Sequence, residues 1–82
     1  MSDKKQVLVI QMAMVESMIQ EKEQERKVLL QQIRSITEEE WSLDEEGYGD
    51  LLIDRANKLM FMLHELKNKK QELVGQYSRE DQ

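Results

Sequence analysis

His64 is the only histidine, and the chain has no cysteine. A metal site on a helix needs a second ligand three or four residues away. Those positions hold Lys67 and Asn68, so His64 reads as a surface histidine. Without a thiol there is neither thiolate catalysis nor a disulfide frame. Carboxylates are the other abundant reactive groups: Asp plus Glu number 17 against 12 Lys plus Arg, a formal charge of −5. Seven of them crowd into residues 37–50 with no base between them: Glu38, Glu39, Glu40, Asp44, Glu45, Glu46 and Asp50. Set against a calcium loop with Asp44 as first ligand, Glu46 falls third, Gly49 at the sharp turn and Leu51 at the hydrophobic position. The fit then fails, because Tyr48 falls fifth and Arg55 stands where a bidentate Glu is required. The segment reads as a solvated acidic turn, and no metal or other cofactor is expected.

The sequence also lacks a glycine-rich phosphate loop, a Ser/His/Asp set and a nucleophile elbow. No apolar pocket is evident that would raise the pKa of one member of a carboxylate pair. A non-enzyme is expected. Chemistry of association is better represented. An acidic balance argues against direct nucleic-acid binding, which needs a basic face. A dense run of carboxylates can instead steer a basic partner, or imitate a phosphate backbone and block a DNA- or RNA-binding groove. Against mimicry, the alternation Glu21-Lys22-Glu23 and Glu25-Arg26-Lys27 has the pattern of a solvated, salt-bridged helix face. Methionine is frequent: Met12, Met14, Met18, Met60 and Met62 lie on apolar or half-apolar faces. Such residues serve as soft core packing or as an adaptable surface that grips a partner helix.

The elements that must position these groups are helices. Residues 3–36 and 49–77 are rich in Leu, Met, Gln, Glu, Lys and Arg, and the chain has no proline. In the first segment Leu8, Val15, Lys22, Leu29 and Ile36 recur every seven residues, interleaved with Met12, Ile19, Arg26 and Ile33. In the second, Leu52, Leu59, Leu66 and Leu73 interleave with Ala56, Leu63, Lys70 and Tyr77. This 4/3 spacing is a coiled-coil seam. Two seams joined by an acidic turn at 37–48 predict a single antiparallel helical hairpin spanning 1–82, all-α, with a polar tail at 78–82. The turn carries capping-box patterns at Thr37–Glu40 and Ser42–Glu45, either of which can start a short helix. Trp41 and Leu43 are placed to tuck into the hairpin end, with Tyr48 beside them.

Two helices bury little by themselves. Residues 59–63 (Leu-Met-Phe-Met-Leu) are apolar all round, and so is much of 7–15. The simplest cover is a second copy, giving a dimeric four-helix bundle. Lys22, Arg26 and Lys70 at seam positions are expected to lay their stems along the seam and send their charges to solvent or to Glu21, Glu25 and Glu72. No apolar run approaches the roughly 20 residues that span a bilayer, and no small-residue cleavage site follows residues 7–15. A cytoplasmic protein without membrane contact is expected.

In size and hairpin layout, over most of its length, the chain resembles the small helical co-chaperones of bacterial type III secretion systems. Hairpin regulators that dephosphorylate response regulators carry a Ser-x-x-Leu-Asp motif. Ser42-Leu43-Asp44 has a different spacing, so that activity is not expected. The expected function is a non-enzymatic protein–protein interaction module: a small bacterial or phage adaptor, chaperone or regulatory inhibitor. Its partners are a second copy and another protein. Its interface residues are Met60, Phe61, Met62, Trp41, Met14 and Met18, and its steering patch is Glu38, Glu39, Glu40, Asp44, Glu45 and Glu46.

Overall fold

The computed structural model describes residues 3–42 and 47–80. These residues are helical with no strand among them: α1 runs Asp3–Ser35, α2 Glu38–Ser42 and α3 Tyr48–Arg79. Helices α1 and α3 lie side by side in a rod of 62 × 15 × 14 Å. The 33 residues of α1 contain neither glycine nor proline, so nothing interrupts its hydrogen-bond ladder over about 50 Å.

The end of α1 has identifiable causes. The Ser35 hydroxyl donates to the Gln32 carbonyl at 2.7 Å, and the Ile36 N–H turns back to the Ile33 carbonyl at 3.2 Å. Thr37 then caps α2. Its Oγ1 accepts the Glu40 N–H, and Glu40 Oε2 accepts the Thr37 N–H, both at 3.2 Å. This reciprocal pair satisfies two backbone donors that a helix start leaves open. Gly47 opens α3 with φ 71°, in the left-handed region that glycine enters without strain. Leu43 and the Asp44–Glu46 part of the acidic turn lie outside the described residues.

Every residue of the two heptad series is buried or half-buried. The main core joins Leu8, Val15 and Ile19 of α1 to Leu63 and Leu73 of α3, with Met12, Leu66 and Tyr77 against it. Leu52, Ala56 and Leu59 are buried nearer the turn. Charges on both helices fix the antiparallel register. Lys67 meets Glu23 at 3.4 Å, Lys4 meets Glu80 at 3.6 Å, and the Lys5 ammonium lies 4.7 Å from the centre of the Tyr77 ring.

Two sequence expectations are corrected here. Lys70 does not turn to Glu72; it crosses the seam and donates to Glu16. Glu72 instead takes Lys69, its i,i+3 neighbour, at 3.8 Å. Nor do residues 78 and 79 belong to a polar tail. Helix α3 passes through Gly75 and continues to Arg79, and the Glu80 N–H still bonds back to the carbonyls of Gln76 and Tyr77. The Lys4–Glu80 and Lys5–Tyr77 contacts hold this last turn against the start of α1.

Candidate functional site

A two-helix rod has two open faces, one on each side of the seam. On one face, α1 and α3 leave a groove of about 580 Å³ with Val28, Leu29, Leu59 and Met62 along it. Its rim carries Glu25 on α1 and Arg55 and Lys58 on α3. A second hollow on the same side, about 320 Å³, shares Met62 and adds Met18, Lys22 and Leu66. Met62 therefore joins two shallow apolar grooves into one stripe with Met18.

The consecutive residues Met60, Phe61 and Met62 do not form one patch. Successive residues turn about 100° round a helix, so the three side chains leave α3 in different directions. Met62 enters the grooved face. Phe61, at 67% exposure, is the most open large apolar side chain of α3. By the same rotation it leaves the helix on the side away from the seam. Met60 is exposed two residues, or about 200°, from Met62. Met14 is exposed on α1 one turn before Met18.

Trp41 has an internal role. It is half-buried, and its ring lies so close to Gly49 that a Cβ there would overlap it. The absence of a side chain at residue 49 is what lets α2 close the hairpin end. Tyr48 is exposed. Of the acidic steering residues, Glu39 and Glu40 are exposed, and Glu40 spends one carboxylate oxygen on the cap. The backbone of Glu38 lies in α2.

The opposite face is polar and basic. Arg26, Lys27 and Arg34 of α1 and Lys67 of α3 line a groove of about 390 Å³ with Leu30 and Leu63. Glu23, also in its wall, is paired with Lys67. Arg26 Nε is shielded from solvent and has no hydrogen-bond partner among the described residues. Heptad spacing places Arg26 on the seam, but spacing carries no information about where its guanidinium finds partners. This groove was therefore invisible in the sequence.

His64 is exposed on α3, and among the described residues no group of three or more His, Cys, Asp or Glu is arranged to hold a metal ion. Glu16 accepts a hydrogen bond from Lys70 across the seam. Its carboxyl is held below the ordinary 4.5 by the hydrogen bond from Lys70 and then by that ammonium's charge. No described helix is long and apolar enough to cross a membrane. Comparisons with protein-family models, curated proteins and solved structures gave no match to this chain.

Proposed function

We propose that this chain is a non-enzymatic protein–protein interaction module, a small adaptor, chaperone or regulatory inhibitor, that works as a dimeric four-helix bundle closed through the Met18/Met62 face. Surface area carries the reading. The chain exposes 6606 Å², whereas a folded monomer of 9.8 kDa exposes about 5,200 Å². The surplus of about 1,400 Å² per chain exceeds the roughly 800 Å² per partner of a standard interface and falls among obligate homodimers. The core is correspondingly thin: among the described residues no large side chain is fully enclosed.

The rim of the apolar stripe supports a second copy as the cover. Glu25 stands on the α1 side, and Arg55 and Lys58 stand on the α3 side. A two-fold axis along the rod lays each α1 over the partner's α3, so the acidic rim meets the basic one. At the level of this groove unlike charges face each other, which favours a self-complementary contact there. The acidic hairpin end, with Glu39 and Glu40, is then left at one tip of the bundle to steer a basic partner.

Light scattering behind a sizing column, run over a wide concentration range, tests this. The wild type is expected as a dimer. Met62→Asp and Met18→Asp are expected to dissociate it, and Phe61→Asp to leave it intact. A wild-type monomer at every concentration sinks the self-association. Dissociation by Phe61→Asp alone moves the interface to the outer side of α3.

A further inference from the structure

We infer that the groove around Arg26, on the face away from Met18 and Met62, is a binding site for a carboxylate-bearing segment of a partner protein. Val28 lines the apolar groove and Leu30 the basic one. Two residues apart, they project about 200° from each other round α1, so the two sites do not compete for space. The inference does not rest on self-association.

Four observations converge. First, Arg26, Lys27, Arg34 and Lys67 line one groove of a chain whose net charge is −5. The single acid in its wall, Glu23, is paired with Lys67 at 3.4 Å, so those two charges offset each other and the groove's excess is carried by Arg26, Lys27 and Arg34. Second, Arg26 Nε is cut off from solvent without a partner. An N–H shielded from water and left unpaired is costly, so the side chain must turn before a carboxylate, whose planar geometry matches the arginine fork, takes it. Third, the groove also carries Leu30 and Leu63. These suit the aliphatic part of an acidic peptide and offer nothing to a free phosphate. At about 390 Å³ the groove is the size of a side-chain pocket rather than a single-ion site. Fourth, the chain as a whole is acidic, with a formal charge of −5. Seven acids sit in the 37–50 segment, which begins only three residues after Arg34. A net-negative chain opposes a long polyanion such as nucleic acid more strongly than a short acidic segment, which brings fewer charges.

The structural alternative for Arg34 is plain: it lies in the last turn of α1, where a cation complements the helix dipole. That accounts for neither Lys27 nor the shielded Arg26 Nε.

Side-chain NMR tests the assignment. The full chain, labelled with ¹⁵N, is titrated with an acetylated and amidated hexapeptide, Leu-Glu-Glu-Leu-Glu-Glu. Inorganic phosphate and a short DNA duplex serve as parallel probes. One arginine Nε–Hε resonance, absent from Arg26→Lys, is expected to shift saturably with the peptide at submillimolar concentration. The double variant Lys27→Glu/Arg34→Glu is expected to bind about tenfold more weakly, with an unchanged circular dichroism spectrum. Met62→Asp is expected to bind the peptide as the wild type does, whatever its oligomeric state. No shift at several millimolar peptide overturns the site. Equal shifts with phosphate reduce it to an adventitious anion contact, and tighter binding of the duplex replaces the peptide with nucleic acid. Loss of peptide binding in Met62→Asp overturns the independence of the two faces.

Discussion

Lys70 of α3 donates across the seam to the carboxylate of Glu16 on α1, although the two are 54 residues apart in the chain. Lys70 stands where the heptad pattern calls for an apolar residue, between Leu66 and Leu73. Its stem fills that layer while its ammonium reaches out to the flank of α1, as long cationic side chains do. The pair thus adds register information that Leu-on-Leu packing does not supply. Shifting α3 by one heptad would separate the two charges and leave Lys70 inside the seam without a partner.

The pH dependence of this pair has a definite sign. Lys70 holds the Glu16 carboxyl below its ordinary 4.5, first by a hydrogen bond and then by charge. A carboxyl whose folded pKa is depressed stabilises the fold above its unfolded pKa, and that contribution is lost as pH falls through the folded value. Wild type and Glu16→Gln should therefore differ in melting temperature at pH 7, and the difference should close as pH falls below 4.5. Both side chains keep substantial solvent contact, so the gap is small and shrinks in high salt. A gap that widens in acid would contradict the assignment.

Trp41 is the only tryptophan and reports directly on the hairpin end. In an ordinary helix, glycine to alanine is stabilising by roughly 0.5–1 kcal/mol. At residue 49 the added Cβ would overlap the Trp41 ring. Gly49→Ala should therefore destabilise, by about 1–3 kcal/mol as overpacking does, and the fluorescence should shift to the red as the ring moves into water. Gly47→Ala meets no atom within 4 Å but must hold φ at 71°. Its cost of about 1 kcal/mol should come without a change in emission wavelength.

The capping box of α2 makes a separable contribution. Thr37→Ala removes the acceptor for the Glu40 N–H and should cost about 0.5–2 kcal/mol. Thr37→Ser keeps the acceptor and should cost little. Urea titration followed by Trp41 fluorescence measures both.

The arms of the hairpin were legible because their signal is periodic and redundant. Each series residue, from Leu8 to Tyr77, is buried or half-buried in the folded rod, including the charged Lys22, Arg26 and Lys70. Heptad spacing reports orientation toward the seam whatever the residue type. The proposed interface was less legible, because adjacency in sequence is not adjacency on a helix. Met60, Phe61 and Met62 look like one apolar block, yet only Met62 reaches the groove with Met18. A count at 100° per residue separates the three. Which side of the seam a flanking residue meets also depends on the register between the arms. That register is fixed by pairs such as Lys67–Glu23, and one-dimensional spacing does not encode it. Helix α3 ran past its expected end for the same reason: Glu80 and Tyr77 are held by Lys4 and Lys5 at the far end of the sequence.

Leu63 and Phe61 provide a direct contrast on one helix. Leu63 is buried in the main core, and Leu63→Ala should cost about 2–4 kcal/mol through lost transfer energy and the cavity left behind. Phe61 is exposed, and Phe61→Ala should stay within about 0.5 kcal/mol. Denaturant midpoints at equal slope decide between them. A Phe61 effect as large as that of Leu63 would mean the outer side of α3 is covered in solution.

Arg26 sets stability against recognition. It occupies a seam position, and its Nε is shielded without a partner, so that one N–H carries a desolvation cost in the free protein. Arg26→Met has a similar reach, no charge and a flexible stem suited to irregular packing. It should raise stability by about 1 kcal/mol while abolishing the response to the acidic peptide. Arg26→Ala deletes the stem as well as the charge and should not stabilise. Thermal unfolding of the three proteins, with and without peptide, separates the outcomes. Peptide should raise the midpoint of the wild type and leave that of Arg26→Met unchanged. A destabilised Arg26→Met would show that the guanidinium is satisfied in the free hairpin. The basic groove would then be ordinary helix surface rather than a site waiting for a carboxylate.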